Sequence, residues 1–540
     1  YILIAYDADS THNMLLFSYI AFILLALAHV ALGVEPNEGL SATSSQTFPD
    51  CLNRIIVSDA YTESFNDYVV SRRRDLHRIP ELMFEEYQTS AYLRKELESL
   101  GLDNIQSVAG TGLVVRLQIG SGEGPTVALR SDMDGLPITE PLEEGSRVPL
   151  PSIPTSPTCT SDSGGALPRS ENDGRMHACG HDAHMSMLLG ALRLLLHFNL
   201  TQSASFPSSS CSSSSSNCSS THVHGHVLAV FQPAEEGGGG AKVVVDSGIL
   251  RDVRAVHGLH TWPALPAGVY STRPHVIMAA SDRFQFRIQG RGGHGAIPHL
   301  AADPVVAGAA FVMAAQTLVS RETSPLNGAV VTVARFNTGP GAANVIPDSV
   351  WIQGTLRALD ERTFRELKRR LEELAKDTVA AMGCRIEEWG WSRVPYGPTV
   401  NSPERTQSVV QVVNSLVKLA SAAMVALPGS EPPPLDSNAS NAQGGKESAF
   451  TFSWVPRILG KVPLATPAFS WLDEPSMAAE DFSFYGLQIP SVFSFLGSGD
   501  PNLGTDVGLH NPYFKAHDGV LSLGAAAHAA VALHWLMALK

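Results

Sequence analysis

The run TVALRSDMDG, Thr126 to Gly135, changes character halfway. Its first half reads as a short apolar strand, and its second half sets two aspartates, Asp132 and Asp134, on a turn. The same transition recurs along the chain. HVLAVF (226–231) runs into QPAEEGGGG, AVHGLH (255–260) ends in TWP, and SVFSFLG (491–497) precedes DVGLHNPYF. Each polar cluster is placed just beyond a strand. In open α/β sheets ligands bind outside the carboxyl ends of the strands, so these separated stretches are expected to converge on one crevice.

Between the third and fourth of these runs, residues 282–391 follow a different rhythm. DRFQFRIQG alternates Phe284, Phe286 and Ile288 onto one face, and AADPVVAGAAFVMAAQTLV reads as an apolar helix. AVVTVARF and VWIQGTLRAL are strands, ERTFRELKRRLEELAKDTVAAM is a long amphipathic helix, and CRIEEWGW is a last strand. The order βαββαβ is that of a small ferredoxin-like domain set into a larger one. The predicted organisation is a catalytic α/β domain over 62–280 and 393–540, with the inserted domain over 281–392. Low-complexity insertions near 141–174, 203–220 and 428–446 are rich in Ser, Pro, Gly or Asn and bury too little apolar surface to fold.

With 540 residues, 44% of them hydrophobic and 17% charged, the chain has globular composition and room for several domains. Acidic residues outnumber basic ones 52 to 38, and no long Lys/Arg run occurs, which excludes a nucleic-acid partner. Met14 is followed by LLFSYIAFILLALAHVALG, read as a signal peptide over 14–33 with small residues at Ala31 and Gly33; an uncleaved anchor and a buried helix are the alternatives. No second apolar segment of that length is expected. Acceptor sequons at Asn199, Asn217 and Asn438 agree with the secretory pathway, the lumen or the exterior. The six cysteines (51, 159, 179, 211, 218 and 384) impose no pairing.

The chemistry concentrates in MHACGHDAHMSMLLGA (176–191). Cys179 and His181 stand two residues apart on a glycine turn, with His184 following and a helix expected to start near Met185. A buried structural thiol with histidines capping the helix is the plain alternative. In QPAEEGGGGAK the adjacent Glu235 and Glu236 suit different roles: one ligates a cation, and its neighbour stands by as general base. A solvated Glu pair in a loop is the commoner meaning of such a dipeptide. His260 and His510 add two histidines expected at strand ends. One thiolate, three histidines and a carboxylate are enough to hold two divalent ions and leave room for water.

Together SDMDGLP, MHACGHDAH, QPAEEGGGGA, GRGGHGAIPH, ANVIPD and AAEDFS resemble the di-metal peptidase and aminoacylase superfamily. The resemblance is to its branch of plant auxin (indole-acetyl) amino-acid conjugate hydrolases, hippurate hydrolases and N-acyl-amino-acid amidohydrolases, and it runs from about Asp67 to the C-terminus apart from the insertions. It implies a metal-dependent hydrolase that cleaves the amide bond of a small N-acyl amino acid. Two divalent ions per subunit would be held by Cys179, His181, Glu236, His260 and His510, with Glu235 as the base; such ligands suit Mn, Zn or Co. Asp132 and Asp134 match the acidic pair beside the metals, Asp134 orienting a ligand or the water. His294 matches a histidine that serves the developing oxyanion, often across a homodimer interface, while Asn344 and Arg357 match positions near the substrate carboxylate. In LHRIPELMFEEYQTS (76–90), His77 and Glu81 are expected to support the site from a helix start. Carboxypeptidase, dipeptidase or deacetylase activity on the same metals, and an inactive binding protein, are the rival readings.

Overall fold

Strands that carry apolar side chains at successive positions need cover on both faces, and the central strands of this protein have it. The computed structural model describes residues 50–141, 168–203, 222–425, 457–459 and 462–539. In chain order its first strands are β1 (Ile105–Val108), β2 (Gly112–Ile119), β3 (Thr126–Asp132), β4 (Gly225–Gln232), β5 (Val253–Pro266), β6 (Val269–Thr272) and β7 (His275–Met278). Then come β8 (Ala280–Gln289), β9 (Gly293–His294), β10 (Ala329–Asn337), β11 (Val345–Ile346), β12 (Ser349–Ala358) and β13 (Arg385–Trp391). The last are β14 (Thr399–Asn401), β15 (Arg457–Leu459), β16 (Val462–Leu464), β17 (Ala468–Trp471) and β18 (Ser491–Gly499).

The large sheet runs β1-β2-β4-β3-β5-β18-β6-β17. Its centre, β4-β3-β5-β18, is parallel, so those strands end on one side of the molecule. Every residue of β3 and of β18 is buried. One face is covered by helices Glu63–His77, His181–Ser203 and Leu521–Ala538. Gly190 sits where these three meet: a Cβ there would lie 2.8 Å from Val69 Cγ1 and 2.9 Å from Ala525 Cβ. The other face packs Val114, Leu228 and Phe493 against Val244 and Phe482.

The inserted sheet has the order β10-β12-β8-β13, antiparallel throughout, which is the expected βαββαβ arrangement. Phe284, Phe286 and Ile288 on β8 and Ile352 and Leu356 on β12 are buried beneath helices Pro304–Thr317 and Glu361–Ala381. Asp303 and Asp360 cap those helices by accepting N–H bonds from Val305 and Thr363.

Several expectations need correction. The main core begins before residue 62, because helix Asp50–Ala60 buries Leu52, Ile56, Val57 and Ala60 in it. The inserted sheet opens at Ala280. Two apolar helices of membrane-spanning length do occur among the described residues, Pro304–Glu322 and Asp518–Ala538; the first packs on the inserted sheet, and the second lies almost wholly inside the fold, where being apolar all round is what burial requires. Residues 142–167 of insertion 141–174 and the stretches 204–220 and 428–446 lie outside the described residues, as do 14–33, Asn217, Asn438 and the cysteines at 159, 211 and 218. Residues 168–174 are held: Asn172 Nδ2 donates to Pro80 O at 2.9 Å and Glu171 N to Arg78 O at 2.8 Å. Cys179 and Cys384 are free. The sequon amide of Asn199 is engaged, accepting from Gly120 N and donating to Gln118 O.

Candidate metal centre

The turn at Gly180, with φ +84°, is a conformation glycine adopts without cost. It lets Cys179 and His181 face the same space. The helix begins at His181, four residues before the expected Met185, so His181 and His184 occupy its first turn. Cys179 Sγ lies 3.5 Å from His260 Nε2. His260 is not at a strand end, because β5 continues to Pro266; it reaches the site from within the strand. His510 is in the loop after β18, held at φ +59° with its N–H on Ala178 O at 2.8 Å.

Hydrogen bonds fix which nitrogens are free. His181 Nδ1 donates to the backbone oxygen of Asp134 at 2.8 Å, and His260 Nδ1 to Thr261 O at 2.6 Å. His181 Nε2 is then buried with no hydrogen-bond partner, 4.0 Å from Glu236 Oε1. Glu236 Oε1 is likewise unsatisfied, although His510 Nε2 stands 3.0 Å away without hydrogen-bond geometry. Two buried acceptors facing one another are costly unless a cation lies between them. Cys179, Glu236 and His510 offer ligand atoms all within 4.8 Å of one another, and so do His181, Glu235 and Glu236. Donors on one ion at zinc-type bond lengths lie about 3–4 Å apart, so the residues present fit two adjoining divalent ions, with Glu236 in both groups, His260 Nε2 against Cys179 and Glu235 close enough to the second group to serve water there.

His184 shares a third such group with Asp132, His181 and His260. Both its nitrogens are spent: Nδ1 donates to Asp132 Oδ1 at 2.7 Å, and Nε2 accepts the Thr261 N–H at 2.9 Å. That excludes it as a ligand and makes it a strut between β3 and β5. Asp132 faces His181 Nε2 at 3.7 Å. Burial opposes ionisation of Asp132, yet His181, His184 and Arg130 hold it well below the usual carboxylate range. For the Cys179 thiol, burial and the carboxylates Glu236 and Glu235 push the pKa well up, so its thiolate needs a cation.

Asp134 tethers the two adjacent glutamates. Its two carboxylate oxygens accept the backbone N–H groups of Glu235 and Glu236, each at 3.0 Å. The loop they start is strained, with Ala234 at φ +56°, and it is clamped from the far side. The buried Tyr396 hydroxyl donates to Glu235 O and accepts from Gly237 N and Gly239 N. The Glu235 carboxylate is pushed well above its ordinary range by burial, then by Glu480, Glu236 and Asp481. Its Oε1 accepts the Asp481 N–H at 3.4 Å.

The remaining expected residues lie in the inserted domain. His294 is exposed on β9, its Nδ1 accepting from Ala296 N, and the Asn344 carbonyl accepts from Gly295 N. The structure brings these two together, but their contacts stay in that domain. Arg357 is half-buried and donates to Met477 O at 2.8 Å across the seam. His77 is the last residue of its helix rather than near a helix start, and it bonds Asp182, next to His181, at 2.8 Å. Glu81 accepts from the N–H groups of Gln88 and Thr89.

Comparison with known proteins gives this geometry a family. The model for peptidase family M20/M25/M40 matches residues 128–205, and that for the peptidase dimerisation domain matches residues 280–382. The IAA-amino acid hydrolase ILR1-like 4 of Arabidopsis thaliana is 34% identical over 533 residues, which span 98% of this chain and 97% of that one. The chain belongs to peptidase family M20. An N-acetyl-L-cysteine deacetylase of Bacillus subtilis is 31% identical to the M20 chain over 431 residues, 80% of each. Among solved structures, a Bacillus subtilis dinuclear metal binding peptidase of family M20 superposes with a TM-score of 0.58 at 25% identity, covering 87% of this chain and 98% of that one.

Sequence reasoning assigned no role to the ionic knot behind the M20 site. Arg130 is buried on β3 and bonds Asp132 and Glu480 at 2.8 Å, Asp481 at 3.1 Å and Gln232 at 2.8 Å. The one available signal was the quoted AAEDFS motif, whose Glu480 and Asp481 close this knot. Tyr396 left no signal at all.

Proposed function

We propose that the protein is a metal-dependent amidohydrolase that cleaves N-acyl amino acids, indole-acetyl conjugates among them, to a carboxylic acid and a free amino acid. The observation that carries this is the pair of buried, unsatisfied atoms His181 Nε2 and Glu236 Oε1 beside Glu235, whose carboxylate forms no ion pair among the described residues. Similarity to an IAA-amino acid hydrolase and an N-acetyl-L-cysteine deacetylase supports it.

Cys179, His181, Glu236, His260 and His510 would hold two divalent ions, which supply Lewis acidity toward the scissile carbonyl and acidify water; Mn, Zn and Co all suit this donor set. Glu235 takes the proton of the attacking water and passes it to the leaving amine nitrogen. Asp134 holds His181 and both glutamates in register. His294 serves the tetrahedral oxyanion, and Asn344 and Arg357 orient the substrate's carboxylate. His294 would act from a partner copy, because its own contacts keep it in the inserted domain, and a dimerisation-domain match supports a homodimer. The apolar stretch after Met14 supports a secretory location, cleaved or membrane-anchored.

The test is hydrolysis of a panel of indole-acetyl, benzoyl and acetyl amino acids, with dipeptides alongside, by Mn- and Zn-loaded protein. Turnover of the acyl amino acids that chelation abolishes and metal restores is expected. Turnover of dipeptides alone would make it a dipeptidase, and full activity without metal would overturn the site.

A further inference from the structure

The outer face of the inserted sheet carries two neighbouring cations, one of which meets the glycine loop. Side chains at odd positions of β8 and β12 lie on the face opposite buried Phe284 and Leu356, and Arg283 and Arg357 are among them. In register, Arg283 is opposite Thr355 and Arg357 opposite Ser281, so the two arginines are diagonal neighbours across one strand pair. Burial, and then the charge of Arg283, hold Arg357 below the ordinary guanidinium range. Arg283 also lies against the residue that follows the proposed ligand Glu236. A Cβ on Gly237 would stand 3.1 Å from Arg283 Nη2, so glycine there leaves space for the guanidinium.

The fold neutralises arginine elsewhere on this face. Arg287, further from the seam, has Glu387 at 2.8 Å and Glu388 at 2.6 Å. Among the described residues no carboxylate forms an ion pair with Arg283, which is exposed, or with Arg357. Two unanswered like charges at the rim of a catalytic site repel each other, and an anion from outside relieves that repulsion. One carboxylate of the substrate is already taken up by Arg357 under the function proposed above, on which this inference rests. We propose that Arg283 forms a subsite for a second carboxylate, so that the preferred substrates are N-acyl amino acids with an acidic side chain, the N-acyl aspartates and glutamates. Such a molecule carries two carboxylates a few bonds apart, which matches two neighbouring guanidinium forks while the amide faces Glu235.

The test is kcat/KM of the metal-loaded full chain on benzoyl-aspartate and benzoyl-glutamate against benzoyl-alanine and benzoyl-leucine, for wild type, Arg283→Gln and Arg283→Glu. Wild type should favour the acidic pair. The acidic-to-neutral ratio should fall about tenfold or more in Arg283→Gln, the usual worth of one charge-assisted contact, and further in Arg283→Glu. A wild type indifferent to the side-chain charge overturns the assignment. So does a ratio that stays constant in both variants, whether because neither changes or because all substrates suffer alike. A wild type that hydrolyses neither class while binding its metals overturns the amidohydrolase reading itself, and this subsite with it.

Discussion

Glu235 and Glu236 share a side chain and a second anchor, Asp134, yet their surroundings separate them. Glu236 points an unsatisfied oxygen at His181 and His510, whereas Glu235 points toward Asp481. Glu235→Gln should therefore keep near wild-type metal content while turnover falls by about two to four powers of ten, the worth of a placed general base. Glu236→Gln should lose one ion per chain, with part of its activity returning at high metal concentration. Elemental analysis beside turnover decides, and the reverse pattern would exchange the two roles. His77 carries a pH prediction. Burial opposes its protonation, but the hydrogen bond to Asp182 and the nearby Glu140 carboxylate outweigh that and raise its pKa to about 9. A folded pKa above the unfolded value of 6.5 gives stability that is complete below pH 6.5 and is lost as pH rises through 9. Tm should decline over that interval, by an amount worth up to about 3 kcal/mol, and His77→Gln should flatten the decline. An equal slope in both proteins would show that His77 is not its source.

At the scale of elements, the sequence showed what periodicity and rare residue types reveal. Phe284, Phe286 and Ile288 alternated and gave β8; Cys179, His181 and the Glu pair were legible because thiol, imidazole and paired carboxylates beside glycines are seldom accidental. The start of helix His181–Ser203 was misplaced because His181, Asp182 and His184 read as a polar turn, while in the fold they are buried and hydrogen-bonded at the helix's first turn. His260 was put at a strand end because TWP looked like a stop; β18 pairs with β5 past that point and carries it on. Tyr396 was illegible, since its hydroxyl acts on a loop some 160 residues earlier. Tyr396→Phe strips the clamp from the Glu235 loop and should lower kcat about tenfold with little change in KM or metal content, because it leaves unsatisfied N–H groups without touching substrate. Steady-state kinetics with metal analysis check this, and a fall in metal content would make the tyrosine part of the scaffold only. Gly190→Val should destabilise the three-helix crossing by about 1–3 kcal/mol, read from chemical denaturation, since neither Val69 nor Ala525 can move far.

For the whole molecule, the two-part architecture predicts that catalysis spans copies. Mixing His294→Ala with Glu235→Gln subunits should restore activity that neither parent has, because one mixed site then holds both an intact base and an intact histidine. No recovery in heterodimers shown to form would confine His294 to its own chain. The placement of the donors also orders events in the life of the chain. Cys179, His181, Glu236, His260 and His510 come from stretches spread over most of its length, and β5 gains β18 as a neighbour only from residues beyond 490. A ribosome delivers residue 181 long before residue 510. While the chain is still being made, the early donors form at most a partial, weakly holding set, and the antiparallel inserted domain completes itself in the interval. The five-residue set proposed above would be complete only once residue 510 has been made, so the ion it takes would be set by the compartment where the chain then folds.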